Sequence, residues 1–566
     1  MVDTAEAVVY YDRGIGHKRD GNLDQAIDDF TQAIRINPQY AIAYRSRGIA
    51  HQQRGDLDQA IDDLTQAIHF DPQLVDAHYI RGSIYSDQGS PDQAVADYDQ
   101  AIRINPQNAI AYYNRGIAHQ QKGDLDQAID DLTHAIQFKP KHATAYYNRG
   151  LAYQQKGDLD QAVDDLTHAI QLDRRSTNAY LDRQGTNAYD SRGIADRCKS
   201  MTGETMPRGE LSVAYCSRGS AYQCKGNYDR AIDDYNDAIK LDPRNAKAYL
   251  NRGIAYQHKI RLVEAIGDFT QAIKLNPEYA EAYFCRGVAY CAKGNLDPAI
   301  ADFTQVTQLK PSYAEAYYNR GNAHMVQGSL DLAIDDFTHA IRINPHYDDA
   351  YFNRGITNLA KDDPDQAIDD YTQVIQLNPQ FAKAYYNRAI AYQQKGDLDQ
   401  AIADFTRAVE LNPQHVNAYH NRGIAYHQKG DLDQAIDSYT RAIRINPQEA
   451  NVYCNRGDVY ADQDRLDQAI ADHTAAIELN PQHAIAYCNR GIIYQHQGSL
   501  SKAIADYDHA IRINPQYADA YYNRGNAYRQ TGDSQQAIGD LEAYLRLRPN
   551  ATNAQQVRDW IRLLGG

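Results

Sequence analysis

Long apolar runs are missing from this 566-residue chain. No window approaches the roughly 18 consecutive apolar residues that mark a membrane-spanning helix, so no membrane insertion is expected. Positive charge is also in deficit. Lys and Arg number 58 against 74 Asp and Glu, a formal net charge of −16. That balance argues against nucleic acid or an anionic membrane surface as the main partner, because both reward basic patches. The opening MVDTAEAVVYYDRG has no basic segment followed by an apolar stretch, so no signal peptide is expected. Cysteines number seven, an odd count without CxxC spacing. They read as packing residues in a reducing cytoplasm, not as a disulfide frame. A Gly-rich phosphate loop, HExxH and GxSxG are all absent, so no enzyme activity and no cofactor are predicted. The nineteen histidines are scattered among similar segments. His415, His420 and His427 fall close together, but no carboxylate or Cys partner can be placed beside them, so no metal site is predicted.

What the chain has in abundance is a period. An opening like YNRG returns every 34 residues, and its Arg never changes from Arg13 to Arg524. Fifteen units result, five over 7–176 and ten over 212–551. Within the 109–142 unit two helices are predicted. Tyr112, Gly116 and His119 lie on one face of the first, and Ala128, Leu132 and Ala135 on one face of the second. Gly123 stands where a helix end needs positive φ. Asp124 is the expected N-cap of the second helix, and Asp126 puts negative charge in its first turn. Pro140 stops the chain. Gly116 and Ala128, small in every unit, let the two helices approach closely.

The 34-residue period, the aromatic–Gly–aromatic first helix, the Ala–aromatic–Ala second helix and the closing Pro together resemble the tetratricopeptide repeat family. Tyr stands where that family often has Trp. The resemblance covers about nine-tenths of the chain. It implies an all-α fold, a right-handed superhelical solenoid of antiparallel helix pairs. It also implies a concave surface lined by first helices that binds protein or extended peptide. Some members grip a C-terminal carboxylate with five Lys, Asn and Arg residues. Here Asn322, Asn353 and Lys383 match three of those places, whereas Tyr318 and Asn387 occupy the two basic ones, so that clamp is not expected.

Two polar columns run through the units. Arg115 lies on the flank of the buried face, and Asp131 lies on the matching flank of the second helix. The Asp recurs in every unit except at Ser438. Opposite charges on facing flanks should pair, and Arg suits a bidentate bond to carboxylate. The competing reading is a row of cations that reaches a ligand. The second column is Asn114, Asn148, Asn251, Asn319, Asn353, Asn387, Asn421, Asn455, Asn489 and Asn523. It projects nearly opposite Tyr112, away from the partner helix. An amide offers a donor and an acceptor to an extended main chain, so the column is a candidate peptide-binding ladder. The competing reading is a tolerated polar residue on a wet face. Gln120, Gln121, Gln154, Gln155, Gln393 and Gln394 share that face, and Tyr113, Tyr318 and Tyr386 flank it.

The pattern lapses at 177–211, where a first-helix opening is written twice and no second helix follows. Arg174 replaces the usual Pro. This segment reads as a decayed repeat or an insert, with a hinge or docking loop as the alternative. Proteolysis is expected first near Thr202–Gly209. The turn Gly is missing at Ile260, Asp362 and Asp464. Residues 1–6 are expected to form a leader. Residues 552–566 are expected to form a capping helix, with Val557, Trp560, Ile561 and Leu564 as its apolar stripe. The resulting expectation is a cytoplasmic scaffold that binds protein or peptide in its groove. The alternative is a structural protein that self-associates through its ends or its acidic outer face. The sequence sets no oligomeric state and names no partner.

Overall fold

The computed structural model describes residues 2–184 and 206–565, with side chains over 5–174 and 206–565. Among the described residues there are thirty-one helices and no strand. Two compact bodies, 1–305 and 306–566, are built in the same way. The first helix begins at Val2, so most of the expected leader is already helical.

Each repeat is an antiparallel pair, such as Ala109–Lys122 with Leu125–Phe138. The small residues set the separation. A Cβ added at Gly116 would lie 3.0 Å from Leu132 Cγ and 3.3 Å from the Ala128 carbonyl oxygen. Ala128, Leu132 and Ala135 have no exposure at all. In both bodies successive first helices also touch, as Ala109–Lys122 does Ala143–Lys156, and Asp348–Ala360 does Ala382–Lys395. Among the described residues, successive second helices do not pack on one another in this way.

The helix ends follow the expected chemistry in part. Gly123 has φ of 82°. Ile260, Asp362 and Asp464 adopt the same left-handed backbone, at φ of 60°, 62° and 58°. The turn therefore survives loss of its Gly at about 1–2 kcal/mol each. Asp124 departs from expectation, since its side chain makes no capping bond. Its carboxylate instead lies 3.8 Å from both His119 and Lys122. Asp363, Asp431 and Asp533 do cap their helices through the side chain.

The lapse near 177 leaves the stacking of its neighbours intact. With Arg174 in place of Pro, the helix begun at Leu159 runs on to Gln184. The next helix, Arg208–Cys224, nevertheless docks as an ordinary following repeat. Arg149 donates to Thr133 across a sequence separation of 16, and Arg218 donates to Thr167 across 51. Lys156 meets Asp126 across 30, and Lys225 meets Asp160 across 65. Both separations exceed the regular one by the same 35 residues. The segment is therefore an insertion between adjacent repeats and does not occupy a repeat's place in the stack. Its end is packed: Met206 and Leu211 are buried, and Met206 N donates to Asp173 Oδ1 at 3.0 Å. Of the stretch where cleavage is expected, Met206 is buried and residues 207–209 are exposed, and residues 202–205 lie outside the described residues. Deleting 174–208 joins Asp173 to Gly209 and restores the regular spacing. The deletion variant is expected to keep its helicity per residue and to unfold no earlier than wild type. Loss of helicity in circular dichroism would show that the insertion is needed to hold the flanking repeats.

Candidate functional site

The Arg column belongs to the scaffold. Arg149 donates through Nε and Nη2 to Asp165 at 2.7 and 2.8 Å, a two-pronged pair across the repeat. Its Nη1 donates to Thr133 Oγ1 of the preceding repeat at 2.9 Å. The same three bonds recur at Arg47, Arg81, Arg388, Arg456 and Arg490. Asp99 and Asp508 replace the Thr opposite Arg115 and Arg524. The Arg face rests on aromatic rings, as Arg149 does on Tyr146 and Tyr153. The hydrogen bonds that Arg81 donates to Asp97 raise it above the ordinary guanidinium value. Burial pushes the Asp97 carboxyl up, but bonds from Arg81 and His78 outweigh that and hold it below its usual range. All three nitrogens of these side chains donate inside the protein, which places the column in the scaffold.

Arg422 is the exception that Ser438 creates. Its Nε donates to Ser438 Oγ at 3.1 Å and its Nη1 to Thr406 Oγ1 at 3.4 Å. The nearest carboxylate, Asp437, lies 4.0 Å away. Burial therefore lowers its pKa where other guanidinium groups of the column are raised.

All ten Asn side chains of the candidate ladder are half-buried, so they do not stand free on a wet face. Six of them reach the first helix of the preceding repeat, at the residue 35 positions earlier. Asn148, Asn353 and Asn421 donate through Nδ2 to Tyr113, Tyr318 and Tyr386 hydroxyls at 3.0–3.1 Å. Asn455 meets His420 Nε2 at 2.8 Å. Asn251 and Asn523 contact the Cys216 and Cys488 sulfurs at 3.8 Å. Asn489 donates instead to Asp458 at 2.7 Å, and Asn319 to its own helix at Glu315 O. Phe352, opposite Asn387, has no acceptor to offer. Seven of the ten thus tie neighbouring repeats together through the amide N–H groups, and no side-chain bond is made by Asn114 or Asn387 among the described residues. Among the described residues, no ladder Oδ1 accepts a bond.

Gln and Tyr surround these positions. Gln393 donates to Gln428 at 3.2 Å, again 35 residues on. A small concavity lined by Gln154, Cys216, Ser217, Ser220, Asn245 and Asn251 opens beside the point where the insertion enters the stack. The acidic excess lies on the turns and second helices. There Asp126, Asp365 and Asp399 meet Lys156, Lys395 and Lys429 of neighbouring repeats. No helix among the described residues is long and apolar enough to cross a membrane.

Paired helices in regular stacks, with the ionic groups tied into the stack, define a helical-repeat scaffold. Family models described as tetratricopeptide repeat or TPR repeat match residues 11–75, 82–123, 120–157, 143–176, 219–259, 268–301, 288–328, 314–347, 360–396, 386–450, 438–471, 457–498, 496–532 and 518–551. The chain belongs to the tetratricopeptide repeat family. No curated protein matches it. Similar solved structures include YrrB, described as a TPR protein with an unusual peptide-binding site. It is 28% identical over 32% of this chain and 92% of its own, at a TM-score of 0.30. MamA is 30% identical over 30% of this chain and 92% of its own, at 0.29. A tetratricopeptide repeat protein from Parabacteroides merdae is 19% identical over 45% and 99%, at 0.36.

Proposed function

We propose that this protein is an interaction scaffold that holds extended peptide segments along its first-helix face. The observation that carries this reading is the run from Asn319 to Asn523. It places seven amides one repeat apart within a single body, with their Oδ1 atoms free to accept. An extended main chain presents N–H groups outward, and these are the complement of such a row. The engaged Nδ2 groups fix the amide orientation, which lowers the entropy lost on binding. The ladder then contributes one accepted bond per Asn, with affinity accumulating along its length. The buried, unpaired thiols Cys216, Cys454 and Cys488 fit a reducing compartment such as the cytoplasm.

A peptide array of unstructured sequences tests the reading. Asn353→Ala, Asn387→Ala, Asn421→Ala and Asn455→Ala together should weaken the peptides that wild type retains by about 2–6 kcal/mol, at 0.5–1.5 kcal/mol per bond. The same variant should also melt earlier, because three of the four amides tie repeats together. Asn387→Ala separates the two effects. Its amide has no partner among the described residues, so the change should leave the melting temperature alone and still weaken binding a few-fold. Equal retention of peptides by wild type and both variants would show that the groove is not read through its Asn.

A further inference from the structure

We propose that Cys454, Asp458 and His473 form a binding site for a single divalent transition metal ion, zinc or cobalt in type, inside the repeat that spans 450–483. Cys454 and Asp458 lie four residues apart on the first helix, Ala450–Asp462, and so share one face. His473 projects from the second helix, Leu466–Leu479. One ligand atom from each of the three lies within 4.8 Å of the other two. Four-coordinate zinc holds its ligands about 2.0–2.3 Å from the metal, hence roughly 3.5 Å from each other. Closing the gap from 4.8 Å takes displacements of about 1 Å, within reach of side-chain rotation.

The histidine is what makes the cluster more than a coincidence of polar residues. His473 has no exposure, and neither Nδ1 nor Nε2 has a hydrogen-bond partner. Buried polar atoms are almost always bonded, and two orphans on one ring mark a missing partner. His473 Nε2 is 3.5 Å from Asp458 Oδ1. The ring lies against Gly457, where a Cβ would fall 3.0 Å from both Cε1 and Nε2. Asn489 donates to Asp458 Oδ1 at 2.7 Å and orients the carboxylate, as supporting residues do around metal ligands.

Comparison among the repeats points the same way. Every other repeat has Phe, Tyr or Leu at the place of His473, as in Tyr439 and Tyr507. Every other repeat has Ile, Leu, Val, Ser or Asn at the place of Asp458. Cys appears at the place of Cys454 also as Cys216 and Cys488, but with Ser220 and Ile492 where the acid would be. Only this repeat combines the three donor types. A dication with one thiolate, one carboxylate and one neutral imidazole is neutral overall, and suits an enclosed site. Binding releases the Cys454 proton to solvent, and the fourth coordination position is left to water. The mixed sulfur, nitrogen and oxygen set selects zinc or cobalt over magnesium or calcium.

The test is cobalt titration of the full-length, tag-free chain under reducing conditions. One equivalent should produce the near-ultraviolet thiolate-to-cobalt absorption and the intense visible bands of four-coordinate cobalt. Zinc should displace it. Three variants restore what other repeats carry and so should fold: His473→Tyr, Cys454→Tyr and Asp458→Ile. Each should lose more than about 100-fold in affinity, since loss of a supporting residue alone costs 10–100-fold. Cys488→Ser should bind as wild type does. Absence of stoichiometric cobalt, or bands that persist in folded His473→Tyr and Cys454→Tyr, would overturn the proposal.

Discussion

Arg149→Ala is expected to destabilise its repeat by about 3–5 kcal/mol, the usual cost of stripping the partner from a buried ion pair. Asp165 is 5% exposed and receives both prongs of the Arg149 guanidinium. With Arg149 gone, the carboxylate remains enclosed with nothing to balance it. The Thr133 tie to the preceding repeat is lost in the same stroke. Because each repeat is stabilised by its neighbours, the loss should appear as early opening of 143–170. Hydrogen exchange resolved by segment would detect it. Peptide retention at 319–523 should be unaffected. Unchanged exchange at 143–170 with impaired binding would return the Arg column to the role of ligand reader.

Ser438→Asp is expected to have the opposite sign, a gain of about 1.5–3 kcal/mol, the range for hydrogen bonds to charged groups. Fourteen repeats supply an Asp at this place, and Arg422 is left with hydroxyls. The guanidinium is 9% exposed and rests between Tyr419 and Tyr426. A carboxylate at 438 completes the pair that its surroundings are already shaped for. Arg422→Ala supplies the contrast. It leaves no buried carboxylate behind, so it should cost less than Arg149→Ala. Chemical denaturation of the three variants orders them. If Ser438→Asp does not raise the midpoint, then Ser438, Thr406 and the two rings already satisfy Arg422.

Much of this was legible in the sequence, because the repeat states its own rules fifteen times. Tyr112, Gly116, Leu132 and Pro140 place the helices, and facing flanks pair Arg115 with Asp131. Legibility fails where a side chain answers to the next repeat. A helical wheel drawn for one helix puts Asn353 opposite Tyr351 and declares it free. Its true partner, Tyr318, lies across a repeat boundary that the wheel does not contain. Asp124 fails as a cap for a different reason, since His119 and Lys122 of its own repeat lie alongside its carboxylate. The 177–211 segment is one unit long to within a residue, and length alone could not distinguish a spoiled repeat from an insertion. The bond from Arg218 to Thr167 makes that distinction. Cys454, Asp458 and His473 could have been found by aligning the units and asking which columns change character together.

The three-pronged Arg also gives the stack a direction. Two prongs stay within the repeat and the third reaches back to the one before it, as from Arg149 to Thr133 and from Arg388 to Thr372. Among the described residues Arg13 donates only to Asp29, and its side chain is 56% exposed against 15% for Arg149. During synthesis, each repeat leaving the ribosome finds its anchor already made. Assembly can therefore keep pace with translation, and no finished repeat must wait for a later one to secure its Arg. A chain halted early would present a complete stack up to its last helix pair.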